Sequence, residues 1–164
     1  MKKIAIIMGS DSDAPKLEKA VATLEQFGVP YELHVYSAHR TPEEAAAFAA
    51  SARENGFGAI LAAAGMAAHL AGALAARTTL PVVGIPIQSG PLNGVDALYS
   101  TVMMPSGIPV ATVGIDGAVN AALLCIEMLA ISDETLAAKL EAARSAGRER
   151  VLEKNSAIEQ RNRL

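Results

Sequence analysis

Lys3-Ile4-Ala5-Ile6-Ile7-Met8-Gly9-Ser10-Asp11-Ser12-Asp13 begins with an apolar run and stops at a glycine-led polar loop. Through Ala14–Phe27, Leu17, Val21 and Leu24 recur at helical spacing, and Gly28 supplies a C-terminal stop. A short strand, a polar loop and an amphipathic helix form the unit that the chain repeats. Tyr31–Tyr36 is rich in β-formers. Thr41-Pro42-Glu43-Glu44 then reads as a capping box, with Thr41 as cap, Pro42 in the first helical position and Glu44 reaching back. That helix runs through alanines to Asn55-Gly56. Further strands are expected at Ala59–Ala63, Pro81–Ile85 and Val110–Val113. Further helices are expected at Ala67–Arg77, about Asn93–Met103, and Val119–Ile131.

Five strands alternating with helices predict an α/β fold, because a parallel crossover needs a long connection and leaves helices on both faces. Right-handed crossovers favour a flavodoxin-like, three-layer αβα sandwich with strand order 2-1-3-4-5. Ser132-Asp133-Glu134 restarts a more charged helix carrying Leu136, Leu140, Val151 and Leu152, which Gly147 is expected to weaken or break. Residues 1–164 read as a single domain, with a core at about 3–131 and a C-terminal helical extension at about 132–164. A helical arm on a neighbouring subunit is a reasonable use for that extension.

Composition narrows the function. The 164 residues suffice for one well-filled core, and 51% of them are hydrophobic. No apolar run approaches the length of about 20 residues that a spanning helix needs, so no membrane role is expected. The apolar surplus points to a doubly covered sheet, subunit interfaces, or both. A net charge of −3 argues against a nucleic-acid partner, which would call for a basic face. The single cysteine, Cys125, excludes an internal disulfide and reads as a buried structural thiol. The start Met1-Lys2-Lys3 runs straight into a strand pattern, so the cytoplasm is the default compartment.

Ligands of open parallel sheets bind beyond the carboxyl ends of the strands, and three segments fall there. Gly9-Ser10-Asp11-Ser12-Asp13 combines close backbone approach, hydroxyl donors and the free N–H groups of a helix start, which favour an anion. Two aspartates would repel a phosphate, so Asp13 is assigned to ribose hydroxyls. An ordinary capped turn has the same composition. Ser37-Ala38-His39-Arg40-Thr41-Pro42 sets an imidazole suited to proton transfer beside a guanidinium that can fork onto phosphate or carboxylate. Ala62-Ala63-Ala64-Gly65-Met66-Ala67-Ala68-His69-Leu70 leaves backbone N–H groups bare in a small-residue loop, although tight helix-on-sheet packing uses the same residues. His34, His39 and His69 stand apart without a supporting carboxylate pattern, so no metal site is expected.

These three segments resemble the active-site motifs of the PurE family. Leu92–Leu98 and Met104–Val110 resemble that family's fourth signature, and Asn120–Leu124 its following helix, in order from about Ile4 to Ala130. The resemblance implies a homo-octamer, no metal, no organic cofactor, and as small-molecule substrate an aminoimidazole ribonucleotide of purine (IMP) biosynthesis. It implies substrate binding by Ser10, Asp13 and Arg40 and catalysis by His39. With them, Gly9, Ser12, Ser37, Ala38, Ala64, Gly65, His69 and Leu70 complete the expected substrate-contacting set. His39-Arg40, rather than His-Lys, resembles the mutase class, an isomerase moving a carboxylate from the exocyclic nitrogen to ring carbon C4. The rival readings are a PurE-like enzyme that carboxylates aminoimidazole ribonucleotide directly with CO2, and a non-catalytic nucleotide-binding domain. The chain departs from the family pattern at Ala63, Met66, Ala71, Ala73, Ala97 and Met103. Met66 puts a long side chain where the family has glycine.

Overall fold

The computed structural model describes residues 1–162. Strands β1 (Lys3–Met8), β2 (Tyr31–Val35), β3 (Phe57–Gly65), β4 (Val82–Ile87) and β5 (Ala111–Thr112) alternate with helices. Those helices are α1 (Ala14–Phe27), α2 (Pro42–Ser51), α3 (Leu70–Ala75), α4 (Val95–Val102), α5 (Ala118–Ala130) and α6 (Glu134–Arg161). The five strands form one parallel sheet in the order β2-β1-β3-β4-β5, the expected flavodoxin-like arrangement.

Alternation along β1 divides the core between the two faces. Ile4, Ile6 and Met8 pack with Leu17, Ala20 and Leu24 of α1 and Ala121, Ala122 and Cys125 of α5. Ala5 and Ile7 point the other way, toward Ala45 and Ala49 of α2 and Leu70 and Leu74 of α3. Each fully buried isoleucine contributes on the order of 1.5–3 kcal/mol. Burial also pushes the Cys125 thiol up to about 12, which makes it an inert packing group, as the sequence suggests.

Element boundaries shift where alanine blurs the pattern. Strand β3 extends through Ala64 and Gly65, which carries the small-residue segment to the carboxyl end of the sheet, and α3 starts only after His69. Two local expectations are corrected. No side-chain capping bond forms at Thr41; its hydroxyl instead accepts from Ser37 N at 2.9 Å and reaches back to Ser37 O at 3.2 Å. The threonine therefore closes the loop before the helix rather than the helix itself. Gly147 does not break the last helix, which runs unbroken for 28 residues. One interior glycine costs about 1 kcal/mol, too little to end a helix once started. Asp133 supplies the start by accepting from Leu136 N at 3.1 Å. The extension expected to residue 164 is thus helical as far as Arg161, and residues 163–164 lie outside the described part.

Both faces of the sheet are covered, yet large apolar groups remain outside. Leu92, Val95, Tyr99, Val102 and Met103 are exposed along and beside α4. Beyond about residue 148, every described position of α6 is exposed.

A β-carbon at position 147 meets nothing closer than Arg150 Nη2 at 3.8 Å. Gly147→Ala is therefore expected to stabilise the chain by up to about 1 kcal/mol in urea unfolding, without altering the fold.

Candidate active site

Because β1 lies between β2 and β3, the loops leaving these three strands meet at one end of the sheet. They enclose a cleft of about 420 Å³, within the range of small-molecule sites. Every residue singled out from the sequence lines it: Gly9, Ser10, Ser12 and Asp13 from the first loop, Ser37, Ala38, His39 and Arg40 from the second, and Ala64, Gly65, His69 and Leu70 from the third. Met66, Ala67 and Ser89 complete the wall. A groove of similar size between α1, α5 and α6 is lined mainly by Phe27, Val113, Leu123, Leu124 and Leu140, and its two charges, Glu127 and Arg144, are paired with each other. It lacks the convergent polar groups of the first cleft.

The second loop is held by its own hydroxyls. Ser37 Oγ accepts from His39 N at 3.3 Å and Arg40 N at 3.2 Å, while Thr41 closes the turn from the other side. This sets the paired side chains. Arg40 Nη2 donates to Gly9 O at 3.1 Å, tying the second loop to the first. Among the described residues no carboxylate pairs with Arg40, so its charge stands uncompensated beside the cleft.

His39 Nε2 lies 2.8 Å from His69 Nδ1, with the rings edge to face. At that distance one nitrogen carries a proton and the other offers a lone pair, so the two imidazoles hold one proton between them. His39 Nδ1 has no bond among the described residues and is the nitrogen left for a substrate. His69, expected among the substrate-contacting residues, stands at the start of α3 and is also the partner of His39. Thirty residues separate the two, and only the β2-β1-β3 order brings them together. His34 instead packs against Tyr36 and Phe48, away from the cleft.

The first loop turns on Ser10, whose hydroxyl accepts from Ser12 Oγ at 2.9 Å and caps a short 3-10 turn at Asp11–Asp13. Half-buried Asp13 has its carboxyl held above the usual range, first by loss of solvent, against the opposing pull of Lys16 and with a further push from Asp116. Lys16 and Asp116 form an ion pair at 2.8 Å, and Lys16 Nζ also donates to Gln88 O at 2.6 Å. This group escaped the sequence reading because its members lie on separate crossovers, and no local spacing marks it.

Met66 has φ 52°, a left-handed backbone that disfavours side chains, and its thioether stands at the cleft rim, exposed. A glycine there, as the family resemblance implies, would carry no such strain. Among the described residues no group of three or more His, Cys, Asp or Glu is placed to hold a metal ion. None of the described helices is long and apolar enough to cross a membrane.

The raised Asp13 carboxyl gives a signed prediction. The folded chain keeps the Asp13 proton to higher pH than the unfolded chain, so stability falls as pH rises from the ordinary carboxylate range through the raised value. Asp13→Asn removes that burden. Its melting temperature should exceed the parent's at neutral pH, and the gain should vanish below about pH 4, as thermal scans across pH would show.

The AIR carboxylase family model matches residues 3–150. A Pyrococcus abyssi protein named N5-carboxyaminoimidazole ribonucleotide mutase is 57% identical over 141 residues, covering 86% of this chain and 81% of that protein. A Saccharomyces cerevisiae protein named phosphoribosylaminoimidazole carboxylase is 48% identical over 95% of this chain, which spans 27% of that longer protein. The crystal structure of Treponema denticola PurE superposes with a TM-score of 0.84 at 27% identity, covering 94% of this chain and 97% of that one. On fold, motifs and these likenesses together, the chain belongs to the AIR carboxylase, or PurE, family.

Proposed function

We propose that this chain is an N5-carboxyaminoimidazole ribonucleotide mutase, an isomerase that moves a carboxylate from the exocyclic nitrogen to ring carbon C4. The observation that carries this reading is the convergence of His39, Arg40 and Asp13 on one cleft, in a chain similar over most of its length to proteins that bear the mutase name. The place of such an enzyme is purine biosynthesis.

The residues that line the cleft support the following roles. Arg40 and the first-loop hydroxyls of Ser10 and Ser12 receive the phosphate, while Asp13 takes ribose hydroxyls. His39 gives a proton to the carbamate nitrogen, the C–N bond breaks, and CO2 is released next to the electron-rich ring. The backbone of Ala64 and Gly65, with Leu70 behind it, keeps CO2 beside C4, a proximity effect that replaces capture from dilute solution. After the C–C bond forms, His39 removes the ring proton and aromaticity returns. His69 orients His39 and shares its proton. Gly9, Ser37 and Ala38 contribute close backbone and the loop's own support. No metal or organic cofactor has a part in this scheme.

Direct carboxylation is the second reading, favoured by the carboxylase name of the Saccharomyces cerevisiae relative. Two substrate feeds separate them: the N-carboxylated ribonucleotide alone, and the uncarboxylated one with bicarbonate. Rapid conversion of the first only is the mutase result, whereas efficient use of the second only would replace this reading with direct carboxylation. Within the mutase reading, His39→Asn should fold and bind ligand normally, yet lose about 10²–10⁴-fold in kcat. Near-normal turnover would remove His39 from its role.

We also place the enzyme in the cytoplasm as a homo-oligomer, with the octamer implied by the family resemblance. The exposed apolar line along α4 and the bare distal half of α6 support assembly, since such surfaces cluster at interfaces. Light scattering should give a mass near eight chains for the parent, and Tyr99→Glu with Met103→Glu should shift it to smaller species. A parent of monomer mass would exclude the octamer.

A further inference from the structure

Three described side-chain atoms are shielded from solvent without a hydrogen-bond partner, on Ser89, Asp96 and Thr112, and of these only Ser89 lines the cleft. An unmade hydrogen bond at a shielded hydroxyl is unfavourable, and one that lines a cleft is placed to find its partner in a bound ligand.

Two separate contacts set the place of Ser89. Gly65 carries no β-carbon, and one built there would overlap Ser89 Oγ. The hydroxyl therefore occupies the space that a side chain at position 65 would fill, against the backbone of the third loop. Behind it, Gln88 is gripped at both backbone groups. Its N–H donates to Asp116 Oδ1 at 2.8 Å, and its carbonyl accepts from Lys16 Nζ at 2.6 Å. The Lys16–Asp116 pair thus fixes the residue next to Ser89 from two other crossovers. These bonds fix the backbone from which the Ser89 hydroxyl projects.

We infer that Ser89 is a further substrate-contacting residue, whose hydroxyl donates to the carboxylate during its transfer across the Gly65 backbone. This rests on the carboxylate-transfer reading. When the N–C bond breaks, its electron pair stays on nitrogen, which takes the proton from His39, and neutral CO2 departs. The C4 electron pair then bonds to the CO2 carbon, negative charge gathers on the two oxygens, and the ring proton goes to His39. CO2 is a weak acceptor and a carboxylate a strong one, so the Ser89 bond strengthens as the new C–C bond forms. It holds CO2 on the productive side and favours recapture over escape.

The test uses Ser89→Ala in the full chain, with two readouts. The first is calorimetric affinity for the C4-carboxylated and the uncarboxylated ribonucleotide. Loss of one donor to a charged acceptor should weaken the former by about 10- to 100-fold and leave the latter unchanged. The second is retention of a labelled carboxylate during turnover in unlabelled bicarbonate. The parent should keep its label, and the variant should lose it to solvent and release uncarboxylated ribonucleotide. Thermal scans should show the variant as stable as the parent or more so, because an unpaired hydroxyl has been removed. Equal weakening for both ligands, or unchanged affinity and label retention, would overturn the role of Ser89. Parent protein that binds both nucleotides but moves no carboxylate would instead remove the mutase reading, leaving the affinity comparison to judge the carboxylate contact alone.

Discussion

Strand β1 is buried on both faces and hydrogen-bonded on both edges, and its position between β2 and β3 organises the rest of the molecule. The chain leaves β1 to one side to form β2, then returns across it to form β3. The loops that end these strands are consequently neighbours in space, although about thirty residues separate each from the next. The meeting of the three cleft segments depends on that reversal. Arg40 reaches Gly9 because β2 pairs with β1, and His39 reaches His69 because β1 is narrow enough for the second and third loops to meet above it.

Within this frame, local hydrogen bonds do the fine positioning. Thr41 turned inward to Ser37 is the clearest case. A threonine before Pro-Glu-Glu has the composition of a helix cap, but here its hydroxyl is spent on the turn that carries His39 and Arg40. The helix accepts the loss because Pro42 needs no partner for its nitrogen and Glu43 and Glu44 suit the positive helix end. The Thr41 hydroxyl supports the loop that carries His39 and Arg40 rather than α2.

How far the sequence was legible follows the same division. The apolar run Lys3–Met8 and the helical spacing in Ala14–Phe27 are local signals, so the elements could be read from them, and crossover handedness then favoured the strand order that forms. Boundaries failed in Ala62–Gly65, where small residues satisfy strand, loop and helix alike, and register pairing with β4 decided for strand. The three cleft segments announced themselves through His, Arg, Ser and Gly at strand ends. The His39–His69 contact and the grip on Gln88 did not, since each joins residues that only the sheet topology brings together. Gly147 was misjudged in the other direction, a local signal outweighed by the length of helix on either side of it.

The Lys16–Asp116 pair ties chain segments 100 positions apart and grips Gln88 between them. Release of any one of these loops requires breaking contacts to the other two, so local opening on this side of the sheet is cooperative rather than piecemeal. Amides around Gln88 and Asp116 therefore share a common exchange behaviour. The second loop is tied to the first through Arg40 and Gly9 and to the third through His39 and His69. The floor of the cleft thus loosens as a whole or not at all.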